Sequence, residues 1–184
     1  MPGPNSIDEF KSNFHGGTRR NRFEISGAVG SASLDKFHAY AFTLPAVGIG
    51  EIPVDYRGRR VYIPGDREYP VWTLTILDDG GGDGSLVYPA FQDWQNRIND
   101  HTDNVSKTGP AADRQQWTIK HLEAHGDGTK ALKTFVLKGC WPVSVGAINL
   151  AAGSRDELVT FDVTVRYDYL NYTSDGGSEA PPVG

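Results

Sequence analysis

Residues able to carry catalysis or bind a metal are few and scattered along these 184 residues. His121 and His125 lie four apart, but in a segment predicted as a strand entering a turn, where four residues span ~13 Å of extended chain. Cys140 is the only cysteine, which excludes an internal disulfide and a cysteine-rich zinc site and is typical of a small buried residue. Because no serine lies in a nucleophile-elbow motif either, we expect no enzyme, no metal and no cofactor.

A glycine-rich run, Asp78-Asp79-Gly80-Gly81-Gly82-Asp83-Gly84-Ser85, invites two further interpretations. A phosphate-binding loop ends in Gly-Lys-Ser or Gly-Lys-Thr, which this run lacks. A calcium loop that begins at Asp79 places Ala90 where a bidentate glutamate is needed. The run therefore favours a flexible connection from a strand to a helix, with Asp83 or Ser85 as the helix N-cap.

The charge balance bears on nucleic-acid binding. Lys+Arg number 18 against 23 Asp+Glu, a formal net charge of −5. This balance argues against a protein that holds DNA or RNA through its phosphates, but leaves open one that touches nucleic acid without binding it. No run approaches the ~18 apolar residues of a membrane span, and the first residues lack the pattern of a signal peptide. We expect a soluble protein that reaches its working place from a cytoplasm.

Three arginines crowd a predicted hairpin tip. Residues 52–56 and 60–63 read as strands around Arg57-Gly58-Arg59, with Arg60 next, and Gly58 is able to take the positive φ of a tight turn. Pro53 cannot donate to a strand ladder, so this ribbon is predicted at an edge or projecting from the sheet. The arginines predict a docking point for acidic groups on a partner, although a solvated tip explains them as well.

The elements behind these candidates are mainly strands. Residues 71–77 are predicted as a strand with Trp72 on its apolar face. Phe91 and Trp94 lie on a predicted amphipathic helix from 87 to 98. Residues 159–169 alternate strictly between apolar and polar, with Phe161 and Val163 on the apolar side. Further strands are predicted at 22–26, 37–44, 116–124 and 131–137, with turns at Pro64-Gly65-Asp66 and Gly126-Asp127-Gly128, and Gly139-Cys140-Trp141-Pro142 ending a strand. Core packing, rather than a sugar-binding platform, is the expected role of the tryptophans. The predicted core comprises Trp72, Phe91, Trp94, Phe161 and Val163.

The fold class predicted from these segments is mainly β, an antiparallel β-sandwich or barrel of seven or eight strands with one amphipathic helix. Residues 1–20, which end in Arg19-Arg20, are predicted to form an N-terminal arm, with a disordered terminus as the alternative. Residues 21–170 form the β domain, and 171–184 a flexible C-terminal tail.

From Asn21 to about Tyr169 the order of segments resembles the tail tube proteins of contractile-tailed bacteriophages of the T-even type. Each motif is weak alone, whereas all of them in order are specific. The runs 78–85 and 176–184 look like local elaborations. The motifs are Asn21-Arg22-Phe23, Leu44-Pro45, Ile52-Pro53-Val54, Tyr56-Arg57-Gly58-Arg59, Gly65-Asp66-Arg67, Trp72-Thr73-Leu74-Thr75-Ile76, Phe91-Gln92-Asp93-Trp94, Gly139-Cys140-Trp141-Pro142 with Val145-Gly146, and Glu157, Phe161-Asp162-Val163 and Tyr167.

The resemblance implies a homohexameric ring with a continuous inner β-barrel. Stacked rings would form the inner tube of a virion tail, assembled in the host cytoplasm. Its partners would be the sheath outside, tape measure protein and DNA transiently in the lumen, and baseplate and terminator proteins at the ends. The hairpin 52–63 and the N-terminal arm are the predicted contacts between subunits or rings, through Arg57, Gly58, Arg59, Arg60, Arg19 and Arg20.

The lumen of such a tube should be acidic or neutral, because DNA carries one negative charge per ~1.7 Å of axis and a basic wall would bind it. The wet face of the last strand supplies the lining candidates, with Arg166 as a contrary charge. They are Thr160, Asp162, Thr164 and Asp168. The alternatives are a tube subunit of a genome-free contractile injection or bacteriocin device and, more distantly, a monomeric β-sandwich binding module.

Overall fold

Strands dominate the computed structural model of the chain. It describes residues 7–14, 18–30, 32–34, 38–78, 87–109, 112–123, 130–155 and 157–174. The elements are α1 Ile7–Asn13, β1 Phe23–Val29, β2 Ala32–Leu34, β3 Ala39–Phe42, β4 Gly48–Tyr56, β5 Arg59–Glu68, β6 Trp72–Leu77, α2 Val87–Ile98, β7 Gln115–Leu122, β8 Ala131–Val145, β9 Thr160–Arg166 and β10 Tyr169–Ser174.

One antiparallel sheet holds eight of the ten described strands. Its order is β2-β1-β7-β8-β9-β6-β3, with β10 also pairing with β8. The long strand β8 joins two layers, since its first half lies between β7 and β10 and its second half pairs with β9. We call β2-β1-β7-β8-β10 the first layer and β8-β9-β6-β3 the second layer.

The two layers fold onto each other around an aromatic core. Trp72 on β6 meets Trp117 on β7 at 6.0 Å between ring centroids, although three strand-to-strand steps separate these strands. Phe23 on β1 and Phe42 on β3 meet at 4.8 Å from opposite ends of the sheet. The result is an open antiparallel sandwich, so the prediction of a mainly β fold is confirmed, whereas the barrel is not closed within one chain.

Alternation of apolar and polar residues dictates the strands that fill this core. Trp72, Leu74 and Ile76 are buried on β6, as predicted. On β9, Phe161 and Val163 are buried while Asp162 is exposed. The buried tryptophans also satisfy their indole N–H groups, because Trp72 donates to the Thr43 carbonyl oxygen at 2.6 Å, and a buried donor without an acceptor costs about 1–3 kcal/mol.

The predicted helix is confirmed with its ends at Val87 and Ile98. Phe91 and Trp94 are completely buried, and the Phe91 ring lies 6.1 Å from that of Phe161. On its polar side, Gln95 donates to the Val143 carbonyl oxygen at 3.4 Å. The helix therefore closes the core and covers the edge of β8 beyond its pairing with β7.

A bend in β8 at Gly139 overturns the prediction that this strand ends at Gly139-Cys140-Trp141-Pro142. The strand continues to Val145, because Gly139 takes a φ of +71° and absorbs the bend. A Cβ at this position would lie 2.1 Å from an Asp168 carboxylate oxygen, so only glycine fits. The strand predicted at residues 159–169 is likewise divided into β9 and β10. The interruption lies beside the bend of β8, which both strands follow.

Other predictions about the boundaries were also wrong. Residues 171–174 belong to β10, which pairs with β8, and are not part of a tail. Pro64-Gly65-Asp66 lies inside β5 rather than in a turn, because a register shift at Ile49/Glu51 takes up the irregularity. The N-terminal arm contains a second helix, α1, which its short polar sequence did not predict. The turn at 126–128 and the N-cap candidates Asp83 and Ser85 lie outside the described residues.

Candidate assembly surfaces

The β4–β5 hairpin stands apart from the main sheet as a two-stranded ribbon, and we call residues 48–68 the ribbon. Its strands pair from Gly48↔Glu68 to Tyr56↔Arg59, so the turn contains only Arg57 and Gly58. Both have positive φ, 46° and 77°, as a type I′ turn requires. The predicted hairpin is thus confirmed, with a turn shorter by one residue than expected.

One face of the ribbon is apolar. The cross-strand pairs Ile52↔Ile63 and Val54↔Val61 lie on it, followed by Tyr56 opposite Arg59. All five apolar side chains are exposed, by between 41% and 63%. We call this set the apolar ribbon face: Ile52, Val54, Tyr56, Val61 and Ile63.

An isolated two-stranded hairpin is marginally stable at best, and an exposed apolar patch marks a surface that binds another molecule. The alternation of Ile52, Val54 and Tyr56 was visible in the sequence. Such alternation usually marks a core face, and only the tertiary structure shows that nothing in the described part of the chain covers it. Sequence reasoning therefore found the ribbon through its arginines and missed its apolar side.

The structure does not bring the predicted contact arginines together. Arg57 lies over the Tyr56 ring at 5.4 Å, and Arg59 lies on the apolar ribbon face. Arg60 is on the opposite face, with its Nε 3.1 Å from Asp55 Oδ1. Only Arg57 and Gly58 occupy the tip itself.

Arg19 and Arg20 are likewise not part of the ribbon. The Arg19 carbonyl oxygen accepts a hydrogen bond from His121 Nε2 at 3.0 Å. Arg20 lines a groove beside β1, β3 and β7. The two arginines therefore lie at the junction of the arm with the β domain.

The lumen candidates on β9 form a polar row with neighbours on β6. Thr75 donates to Asp162 Oδ1 at 2.7 Å, and the hydroxyl oxygens of Thr73 and Thr164 are 3.3 Å apart. Thr160 precedes them on β9, opposite Leu77. Arg166 ends the row on the same face of β9 and is exposed, so the row carries one acidic and one basic side chain among its threonines.

Asp168 is separated from that row. It lies beyond the end of β9, and both of its carboxylate oxygens are 2.6 Å from Arg114 Nη1. The ion pair is about 40–50% exposed on both sides and bridges the start of β7 to the bend at Gly139. Its position indicates a structural contribution to the bend rather than a place among the other three candidates.

The base of the ribbon is fixed to the second layer by aromatic contacts. The Tyr167 hydroxyl donates to the Ala46 carbonyl oxygen at 3.2 Å, and its ring contacts that of Tyr69 at 5.8 Å. Burial raises the pKa of Tyr167 above its ordinary value of 10.0, so the hydroxyl keeps its proton and this hydrogen bond even in moderately alkaline solution. The ribbon thus projects from a fixed base.

The loop after α2 holds the buried carboxylate of Asp100. A hydrogen bond from Lys107 and another from the Thr102 backbone N–H lower the pKa of Asp100 to about 2. The loop is therefore held by a charged pair at neutral pH.

Groups able to do chemistry are sparse in the described part of the chain. Cys140 is completely buried, and this burial raises the pKa of its thiol to about 12, so the group stays a neutral thiol. No cluster of three metal-ligating side chains occurs among the described residues, and neither described helix is long and apolar enough to cross a bilayer.

The tryptophans form no exposed platform, which weakens the binding-module alternative. Trp72, Trp94 and Trp117 are buried, and Trp141 packs against the core while partly buried.

An open sandwich with an uncovered apolar ribbon is typical of a structural subunit rather than of a protein with an enclosed site. The particular family follows from the sequence. Residues 36–173 match the family model described as "Phage tail tube protein", so the chain belongs to the phage tail tube protein family.

Two curated relatives agree with this assignment. The chain is 28% identical over 165 residues to tail tube protein gp19 of Enterobacteria phage T4, covering 89% of this chain and 98% of the relative. It is 27% identical over 175 residues to the tail tube protein of Serratia phage KSP90, covering 88% and 94%.

A solved structure shows the same fold. It is a chain from the cryo-EM structure of an extracellular contractile injection system, "PVC sheath/tube terminator in extended state". The TM-score is 0.62 at 18% identity, with 86% of this chain and 97% of that chain covered.

Proposed function

We propose that six copies of this chain form a ring, and that the rings stack into the inner tube of a contractile virion tail. The uncovered apolar ribbon face carries the proposal. Membership of the tail tube family supports it, and so does the open sandwich, whose terminal strands β2, β3 and β10 lie at sheet edges. Association of such edges removes hydrogen-bonding groups that otherwise promote aggregation.

In this tube the ribbon makes the contacts between copies. Its apolar face packs on a neighbouring copy or ring, and Arg57 and Arg59 meet acidic groups at the rim of that contact. The core of an interface is apolar and its rim polar, which matches a ribbon with an apolar middle and arginines at its end.

The outer face of the second layer lines the lumen in this proposal. Thr160, Asp162 and Thr164 are its lining residues, and Asp168 contributes through the bend it holds. The first layer offers the alternative wall, and its outer face carries Lys120 and Lys138, with Glu24 on β1 facing Lys120. A wall with an excess of positive charge holds DNA at its phosphates, so we place the second layer inside, where Arg166 on the same face of β9 offsets Asp162.

The partners follow from the tube. The sheath lies outside, tape measure protein and then DNA pass through the lumen, and baseplate and terminator proteins close the ends. Assembly takes place in the host cytoplasm before the tail joins the virion. The phage family match favours this role over a genome-free injection or bacteriocin device.

Electron microscopy of the purified full chain tests the proposal. The expected particles are annular in end view, with sixfold symmetry, and hollow rods in side view. Monomers at every protein and salt concentration would refute it. A head gene and a portal gene beside this one would separate the phage tail from the genome-free device.

A further inference from the structure

Helix α1 presents an apolar stripe that is mostly exposed in the structure. Ile7, Phe10 and Phe14 lie on one side, at spacings of three and four, and their exposed fractions are 73%, 63% and 53%. The two phenylalanine rings stack at 5.0 Å. A seven-residue helix is far shorter than the ~12–15 residues that make an isolated helix even marginally stable in water, so α1 needs a surface to pack on.

A groove of complementary chemistry lies at the open mouth of the sandwich, where β1 and β3 approach without pairing. We call it the aromatic groove. Its volume is about 470 Å³, within the range of ~300–1000 Å³ that holds sizeable ligands. It is lined by Phe23, Phe42, Thr43, Leu44 and Ile119, with Arg20, Lys120 and His121.

We infer that α1 of one copy packs its apolar stripe into the aromatic groove of a second copy. The inference rests on the proposed function, because a ring supplies a neighbour at a fixed distance. The rings of Phe23 and Phe42 already meet edge to face in the groove. The rings of Phe10 and Phe14 would add further aromatic contacts to this pair. Such a contact ties copies together through a segment outside the β domain.

Charge favours the same pairing. Residues 7–14 carry Asp8 and Glu9 against Lys11, a net charge of −1. Arg20 and Lys120 give the groove the opposite sign. Opposite charges steer two surfaces together and set their orientation.

The exposure of α1 in the single chain, rather than the length of the link, favours a second copy over the chain's own groove. Residue 19 is held at the edge of the groove by the hydrogen bond from His121. The five residues from Phe14 to Arg19 span about 17 Å when extended, enough to reach either the chain's own groove or that of a neighbouring copy. In the single chain the helix nevertheless buries none of its residues, and the groove stays open.

Disulfide trapping between two preparations tests the exchange. One carries Phe14→Cys and a mass tag, and the other carries Leu44→Cys. They are mixed under assembly conditions and oxidised. Because Cys140 is fully buried, each variant offers one reactive thiol. We expect a mixed disulfide dimer as the main product. The matched control pairs Phe14→Cys with Val105→Cys, an exposed site on the loop after α2, and should give at least about tenfold less.

The pattern of products decides the outcome. Equal trapping with Val105→Cys would overturn the inference, as would an internally closed monomer as the main product from the double variant Phe14→Cys/Leu44→Cys. Phe10→Asp, combined with Phe14→Cys, should lower trapping at least about tenfold. Unchanged trapping would also overturn it.

Electron microscopy of the same samples separates this inference from the proposed function. Rings without the mixed disulfide would refute the helix exchange and leave the tube intact. The mixed disulfide without rings or rods would support the exchange and refute the tube.

Discussion

Substitution of Val61 by aspartate tests whether the apolar ribbon face joins copies of the chain. Val61 lies opposite Val54 in the middle of that face and is 52% exposed. A polar residue at a half-exposed site on a projecting ribbon has little core to disturb. We therefore expect the free energy of unfolding of the single chain to fall by no more than about 1 kcal/mol.

The effect on assembly should be much larger. The five side chains of the face are on average about half exposed, and full burial of one such side chain is worth ~1.5–3 kcal/mol. Covering the exposed half therefore contributes about 1 kcal/mol per side chain, or roughly 5 kcal/mol per ribbon. Val61→Asp removes the contribution of one of these side chains. It also places a carboxylate in an apolar contact, at a cost of several kcal/mol.

A loss of about 3–5 kcal/mol at one contact weakens it roughly 100- to 4000-fold, and in the proposed ring it recurs six times. The assay is sedimentation velocity with electron microscopy of the same sample. We expect a folded monomer, with circular dichroism and thermal unfolding close to those of the unsubstituted protein, and no rods.

Tyr62→Asp is the matched control. Tyr62 is the next residue, 59% exposed and on the opposite face of the ribbon, opposite Pro53. It introduces the same charge on the same strand, and rods should still form. Normal rods from Val61→Asp, or equal loss of rods from both variants, would refute the assignment of the contact to the apolar ribbon face.

Three further outcomes are expected. Gly139→Ala forces a side chain into a positive φ against the Asp168 carboxylate. This substitution should lower the unfolding free energy by about 2–4 kcal/mol and the Tm by roughly 5–15 °C. Gly153→Ala, with open space around it, is the control, and equal Tm values for the two variants would show that Gly139 is not required at the bend. Asp162→Lys should leave tube yield unchanged and slow genome release from particles, whereas Asp162→Asn should not; normal release from the lysine variant would remove Asp162 from the lumen. Because the folded-state pKa of Asp100 is about 2, below its ordinary value of 3.8, the contribution of its pair with Lys107 is present above about pH 4 and lost as the pH falls towards 2. Lys107→Gln should therefore be less stable at pH 5 but not at pH 2, and a pH-independent difference would argue against the pair.

Much of the fold could be predicted from local patterns. The buried positions of β6, the stripe of α2 and the hairpin around Gly58 follow from spacings of two, of three and four, and from a turn glycine. These patterns depend only on residues close together in the sequence, so they can be read without knowing which elements pack against one another. The role of the arginines in contacts stays a prediction, but alternation along β5 places Arg59 and Arg60 on opposite faces of the ribbon, which a count of charges does not reveal.

Long-range contacts decided the rest. The alternating residues of the ribbon look like those of a core strand. Helix α1, with seven residues, is too short to show a clear helical period in the sequence. The continuation of β8 through Gly139 depends on Asp168, which approaches from another part of the chain. By itself the sequence determined which residues avoid water, because side-chain type and spacing set that preference. Only the tertiary structure decided which apolar faces find a partner within the chain and which must find one in another molecule, since burial depends on what the rest of the chain can reach.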